Sequence, residues 1–135
     1  MKGSKKSWDL LRMIAFPLFS ETSEHNIKCL IEHSKRIQYN KGEEISLRNP
    51  RSQMPLIIIL IEGALELQAE GCASMNKILE MGSGEIVGLW EAMNNLSHSY
   101  RLCSKTNECV VYQFDIKVIV VITDLQACSA FGPIV

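Results

Sequence analysis

The chain contains 135 residues, of which 14 are Lys or Arg and 15 are Asp or Glu, so its formal net charge is -1. It is 47% hydrophobic and 21% charged. This length is typical of one domain, and the apolar fraction excludes an intrinsically disordered chain. A net charge near zero argues against a nucleic-acid binder, whose affinity depends on clustered cations that face phosphates. The composition therefore predicts a small globular module with no nucleic-acid partner, and it does not indicate an enzyme.

The cysteines and the short apolar runs indicate the cellular compartment of the protein. The five cysteines are an odd number at wide spacings, and His25, His33 and His98 are not grouped with them as zinc ligands would be. This pattern favours a reduced, cytoplasmic protein without a metal site. No apolar run approaches the roughly 20 residues that span a bilayer. We therefore expect membrane contact only through a larger parent protein, at whose cytosolic face the chain would lie.

The first twelve residues are the basic part of the chain. Lys2, Lys5, Lys6 and Arg12 are opposed by Asp9 alone, which gives this segment a net charge of +3. The simpler interpretation is a solvated terminus, either a native linker or a tag. The alternative is a basic helix that contacts lipid headgroups or an acidic partner.

Two helices are predicted before any strand. Residues 8–15 are rich in Leu, Met and Ile, and Pro17 ends this helix. Ser23 is the best N-cap for a second helix from Glu24 to His33, in which apolar residues recur at helical spacing.

The pattern then changes to alternating or short apolar runs separated by polar and glycine-rich turns, which indicates strands. The predicted strands lie at residues 37–39, 45–47, 56–61, 64–68, 77–81, 100–106 and 109–114. The predicted loops between them lie at residues 48–55 and 71–76. One or two helical turns are expected at 89–94, and Asp115 is the expected cap of a helix that runs to Leu125.

This order predicts an α+β fold in a single domain. An N-terminal helical segment at 1–33 precedes a closed or folded-over sheet at 34–114, and a C-terminal helix begins within 115–135.

Four stretches in this order resemble the cyclic-nucleotide-binding domain of the catabolite-activator, kinase-regulatory and ion-channel superfamily. They are Pro17–Ser20, Tyr39–Ile45, Ile57–Leu67 and Gly84–Leu89. The resemblance implies an eight-stranded antiparallel β-roll, similar to a jelly roll, with N-terminal helices and a truncated C-terminal helix. Because that helix is short and no helix-turn-helix follows Val135, the chain is expected to be an excised regulatory domain.

The resemblance also locates a phosphate-binding cassette at residues 82–101. In the family, a glycine-rich turn offers backbone N–H groups to the cyclic phosphate, a Glu accepts a bond from the ribose, and an Arg pairs with the phosphate. Gly84 and Gly88 match the two glycines. Leu89 stands at the position of the Glu, and His98, with Ser99 beside it, stands at that of the Arg.

These departures predict weak binding. Two lost contacts to charged or polar ligand groups weaken binding by a factor of roughly a hundred or more. Arg101 would restore a guanidinium only after a register shift, and Glu85 or Glu91 would replace the acceptor only from a different position. The alternative for the glycines is a tight turn alone. His98 is interpreted as an ordinary surface histidine, and Leu89 and Trp90 as core or cavity-filling residues.

The resemblance therefore implies a cytosolic regulatory domain, with no enzyme activity and with weak or no binding of cyclic AMP or cyclic GMP. Residues 82–92 are similar to the cassette of sodium/proton exchangers, which favours an ion transporter or channel as the host. Its partners would be other domains of that host, or a second copy in a homodimer. The alternative is a true cyclic-nucleotide sensor with a rewired phosphate site. A cupin-like metalloenzyme is disfavoured because only His98 lies among the strands.

Overall fold

The structure, a computed structural model, describes residues 5–69 and 77–120. Its helices are α1 (Lys5–Ile14), α2 (Glu24–Glu32) and α3 (Leu89–Asn94), and α4 begins at residue 116; a 3-10 turn covers Pro17–Phe19. Its strands are β1 (Lys35–Tyr39), β2 (Ile57–Glu62), β3 (Leu65–Ala69), β4 (Lys77–Met81), β5 (Ile86–Val87), β6 (Tyr100–Ser104) and β7 (Cys109–Phe114). The order of elements matches the order predicted from the sequence with two exceptions: β5 is not among the predicted strands, and the predicted strand at 45–47 is not a continuous strand.

The strands form two antiparallel sheets. One has the order β1-β7-β2-β5 and the other β4-β3-β6. Their facing sides enclose one apolar cluster, and the helices cover the outer side of the larger sheet with a second cluster. The helices and antiparallel sheets together confirm the predicted α+β β-roll.

Strand β2 is buried on both of its faces. Ile57, Ile59 and Ile61 belong to the cluster under the helices, whereas Ile58 and Leu60 belong to the cluster inside the roll. None of the five is more than 1% exposed. This position explains the continuous apolar run, since a strand that alternates between apolar and polar residues would expose one face to water.

The predicted helix boundaries are confirmed within a few residues. The Ser23 hydroxyl accepts a hydrogen bond from the Asn26 N–H at 3.1 Å and caps α2. The Asp115 carboxylate accepts one from the Lys117 N–H at 2.9 Å, which caps α4. The predicted end of α4 at Leu125 lies outside the described residues, as does the predicted loop at 71–76.

The predicted strand at 45–47 differs from the observed structure. Two isolated bridges flank it, Glu44 with Cys103 and Arg48 with Pro55. The Ile45 N–H donates to the Leu102 carbonyl at 2.8 Å, while the Leu47 carbonyl accepts from the Leu56 N–H at 2.9 Å. Because its two ends pair with different segments, no continuous ladder forms, and the described part of the chain has seven strands.

A buried polar contact ties α1 to the sheet. Asp9 is 3% exposed, and its Oδ2 accepts hydrogen bonds from Arg36 Nε at 2.6 Å and from the Tyr112 hydroxyl at 2.7 Å. Arg36 and Tyr112 are register partners on β1 and β7. Burial is the largest cause of a raised pKa of Tyr112, and the hydrogen bond to Asp9 is the next largest.

Within the described residues, no helix is long and apolar enough to cross a membrane.

Replacing Asp9 tests this contact. We expect Asp9→Asn to lower the free energy of unfolding by about 3 kcal/mol, because it leaves the largely buried Arg36 guanidinium without its counter-charge. Arg12→Gln is the control, since the Arg12–Glu62 pair at 3.0 Å is about half-exposed and contributes at most about 1 kcal/mol. Urea unfolding measures both, and equal effects would contradict the assignment.

Candidate functional site

The first half of the cassette runs along β2. The Gly84 N–H donates to the Leu60 carbonyl at 2.8 Å, and the Leu60 N–H donates to the Glu85 carbonyl at 3.0 Å. Strand β5 then pairs with Ile58 and Ile59. The cassette is therefore held by the backbone of the most buried strand of the fold.

Gly84 lies against Phe16 of the N-terminal helical segment, and Glu85 is exposed. Gly84 has φ +91, and a Cβ added to it would lie 3.1 Å from the Phe16 ring. The exposed Glu85 carboxylate turns back to accept a bond from the Gly82 N–H at 3.3 Å. Both residues belong to the turn, and the Glu85 carboxylate is engaged by a hydrogen bond within that turn.

Gly88 lies at the start of α3 in a crowded position. Its φ is +90, and an added Cβ would lie 2.5 Å from the Leu56 carbonyl oxygen and 3.2 Å from His98 Nε2. A side chain is therefore excluded by both conformation and space. The same contacts place the His98 ring directly against the glycine.

The His98 ring nitrogens are buried and make no hydrogen bond within the described residues. Burial lowers the pKa of His98, and the charge of Arg48 lowers it further, against the opposing effects of Glu91 and the Leu56 carbonyl. The ring is therefore neutral near pH 7. The interpretation of His98 as an ordinary surface histidine is wrong, because its polar atoms pack inside the cassette.

Tyr100 lies next to His98. The two rings meet edge to face, with centroids 5.4 Å apart and planes at 87°. Burial raises the pKa of Tyr100, and so does the neighbouring Glu91 carboxylate from α3. The interaction of Glu91 with Tyr100 links the short helix α3 to the first residue of β6.

Arg48 brings a guanidinium to the cassette from a distant part of the chain. Its Nη2 donates to the Ser97 hydroxyl at 2.7 Å, and its Nη1 donates to the Gln53 carbonyl. An open cavity of about 280 Å³ lies here, lined by residues 44–48 with His98 and Tyr100. Arg48, a cation that the sequence motif does not include, therefore lines the same cavity as His98.

The remaining predicted residues are not brought to this cavity. Leu89 packs against the cluster under the helices, so it does not fill the interior of the roll. Ser99 is exposed. Arg101 donates to Glu44 at 2.9 Å on the outer face of its sheet, because it alternates with the buried Leu102. Trp90 is 68% exposed, so its interpretation as a core residue is wrong.

Sequence reasoning missed Arg48 and Tyr100. Arg48 was assigned to a polar loop, and no spacing within the motif points to it. For Tyr100 a signal existed, because strand alternation places it on the same inward face as Leu102.

The arrangement places one cationic group and two aromatic groups at the cavity. It offers one guanidinium, one neutral imidazole and a tyrosine of raised pKa around an open cavity. Among the residues that the structure describes, no group of three His, Cys, Asp or Glu side chains could hold a metal ion.

Comparison with known proteins identifies the fold. No protein-family model and no curated protein sequence matches the chain. A cyclic nucleotide-binding-like protein from Brucella abortus matches with a TM-score of 0.67 and 18% identity, over 86% of this chain and 97% of that one. The regulatory subunit of a cAMP-independent protein kinase A from Trypanosoma brucei matches with a TM-score of 0.69 and 16% identity, over 95% and 48%.

The catabolite activator protein of Thermus thermophilus matches with a TM-score of 0.66 and 14% identity, over 85% of this chain and 53% of that one. The chain thus spans about half the length of the kinase subunit and of the activator. At these identities the matches establish the fold alone. This protein has the β-roll fold of cyclic-nucleotide-binding domains, as the resemblance implied.

The crowding at Gly88 predicts a specific sensitivity. We expect Gly88→Ala to lower the free energy of unfolding by about 2 kcal/mol or more, because the methyl group meets the Leu56 carbonyl at a positive φ. Gly42→Ala is the matched control, since Gly42 has the same φ of +90 and nothing lies within 4 Å of its added Cβ. Chemical denaturation of the two variants checks the difference, which should disappear if Gly88 only makes a turn in open space.

The burial of His98 predicts a pH dependence. Its folded-state pKa is lowered from 6.5, so the unfolded chain binds the proton more readily and stability falls as the pH drops below that value. The wild type should therefore lose more stability than His98→Gln between about pH 7.5 and about pH 5.5. Urea unfolding at both pH values measures the loss, and parallel losses would contradict the burial of the ring.

Proposed function

We propose that this chain is a regulatory, non-enzymatic module of the cyclic-nucleotide-binding fold that binds cyclic AMP and cyclic GMP weakly or not at all. It acts through contacts with other domains of a larger protein. The observation that carries the proposal is His98, a neutral, half-buried ring with both nitrogens buried, at the position where the resemblance calls for a phosphate-binding arginine.

The electrostatics of the cassette support weak binding. A cyclic phosphate carries a full negative charge, and a guanidinium meets it with two parallel hydrogen bonds. The His98 ring supplies neither a charge nor a free donor towards solvent, since both of its nitrogens are buried. Arg101 is engaged by Glu44 on the outer face of the sheet. The carboxylate that would accept from a ribose is replaced by Leu89, which packs under the helices.

The solved structures contain a parallel for such a module. The Trypanosoma brucei subunit of the same fold belongs to a kinase that is described as cAMP-independent. A variant of it, in which a threonine is replaced by arginine and two further residues by alanine, was solved with cAMP in one site. The parallel supports a regulatory role for this fold in which cyclic AMP is not the ligand.

The host protein and its location remain as predicted from the sequence. The similarity of residues 82–92 to exchanger cassettes is the only support for an ion transporter or channel, and the structural comparisons add nothing to it. The proposed partners are other domains of that host, with a second copy of this chain as the alternative. The proposed location is the cytoplasm.

A second candidate function is a cyclic-nucleotide sensor with a rewired phosphate site. One observation favours it: the Arg48 guanidinium lies 2.7 Å from Ser97, directly before His98 in the cassette. In this candidate Arg48 pairs with the phosphate in place of the missing arginine. This pairing requires Arg48 to break its hydrogen bond with Ser97 or with the Gln53 carbonyl. The loss of that hydrogen bond lowers the affinity for the cyclic nucleotide.

Calorimetric titration with cyclic AMP and cyclic GMP separates the two candidates. We expect no micromolar binding by the wild type, and a gain of about tenfold to a hundredfold in affinity for His98→Arg, because one charged hydrogen-bonding group is restored.

Arg101→Ala is the control and should leave the result unchanged, because Arg101 lies on the outer face of the sheet. Micromolar binding by the wild type that Arg48→Ala abolishes would establish the sensor instead. Such binding with no effect of Arg48→Ala would overturn both phosphate assignments.

A further inference from the structure

The outer face of α1 is apolar where a surface helix is usually polar. Trp8 is 67% exposed, Leu11 61% and Ile14 39%, and Leu18 in the following 3-10 turn is 39% exposed. Trp8, Leu11 and Ile14 recur at a spacing of three, so they form one stripe along the outside of the helix, and Leu18 follows beyond its C-terminal end. We call this stripe, with its flanking lysines, the α1 outer face. The inner side of α1 carries Asp9 and Met13, which are buried against the sheet and α2.

The cations of the helix flank this stripe. Lys5 and Lys6 are exposed, and neither makes an ion pair within the described part of the chain. Lys6 lies with Lys28 along the groove between α1 and α2, where Glu32 is the neighbouring acid. On the other flank, Arg12 is paired with Glu62. The only acid of α1 itself, Asp9, is neutralised inside by Arg36. The charge presented outwards by α1 is therefore positive.

We propose that the α1 outer face binds an anionic lipid surface. Tryptophan and aliphatic side chains enter the boundary between headgroups and acyl chains, while lysines beside them reach the anionic headgroups. The same combination fits a protein partner less well, because lysine is depleted in protein–protein interfaces whereas tryptophan is enriched. The inference is independent of any nucleotide binding, and it goes beyond the expectation that membrane contact comes only through a parent protein.

The anchoring of α1 sets the geometry of this contact. The Asp9 contact holds the helix on the sheet, so the α1 outer face is presented without unfolding of the domain. The helix lies along the bilayer surface with Trp8 and Leu11 inserted. A single short helix gives a weak, reversible contact that is sensitive to salt.

Vesicle co-sedimentation of the whole 135-residue chain tests the proposal. The probes are vesicles of phosphatidylcholine alone and vesicles of equal parts phosphatidylcholine and phosphatidylserine. We expect binding to the anionic vesicles only. Each of Lys5→Gln and Lys6→Gln should weaken it by about fivefold, which corresponds to about 1 kcal/mol per lysine near an anionic surface. The matched control, Lys41→Gln with Lys117→Gln, changes exposed lysines elsewhere and should have a much smaller effect.

Two matched double variants test the contribution of the apolar side chains. Trp8→Ala with Leu11→Ser should abolish binding, whereas Trp90→Ala with Met93→Ser, an equally exposed pair on α3, should not. The chain has two tryptophans, so in a Trp90→Phe background the fluorescence reports Trp8 alone and should shift to the blue on anionic vesicles.

Three results would overturn the proposal. They are absence of sedimentation with anionic vesicles, equal binding to neutral and anionic vesicles, and loss of binding in the α3 pair with none in the α1 pair. A fourth would assign the face to a second copy instead: a dimer in the absence of lipid, measured by sedimentation equilibrium, that Trp8→Ala with Leu11→Ser dissociates.

Discussion

The structure depends on the burial of β2 on both of its faces. Its five apolar residues contribute to both clusters at once, so the helical layer and the interior of the roll share one strand. At about 25 cal/mol for each Å² of apolar surface removed from water, such a strand contributes more than any single polar contact in the fold. The cassette is attached to this strand by backbone hydrogen bonds to Leu60. The carbonyl of Leu56, the residue before β2, lies against Gly88. The position of the candidate site is thus a consequence of core packing.

The cassette has glycines with positive φ angles at both motif positions, while its side chains differ from those that the motif calls for. Gly84 and Gly88 both have positive φ angles, and Gly88 has no room for a side chain. The place of the expected arginine is taken by a ring that packs against Gly88 and Tyr100. The guanidinium that lines the cavity belongs instead to Arg48, and it is already engaged by Ser97 and Gln53.

The N-terminal helix illustrates how one polar interaction orients a whole surface. Asp9 faces inwards because Arg36 and Tyr112 satisfy its carboxylate, and this directs Trp8 and Leu11 outwards on the opposite side of the helix. A helix in which Trp8 and Leu11 faced the core would turn Asp9 towards water and leave Arg36 and Tyr112 without its carboxylate. The buried ion pair thus specifies the orientation of the helix, and breaking it also lowers stability.

Much of the fold follows from local signals in the sequence. Ser23 and Asp115 cap helices because their side chains reach nearby N–H groups. The apolar runs form strands because at least one face of each run is buried. The lack of a continuous ladder at 45–47 depends on two partners that are distant in sequence, so alternation could not reveal it. The departure of the cassette at Leu89 and His98 is also visible in the sequence, because it concerns residue type at a fixed spacing. The burial of His98, the exposure of Trp90 and the approach of Arg48 depend on tertiary structure, since each results from packing between segments that the chain brings together only when it folds.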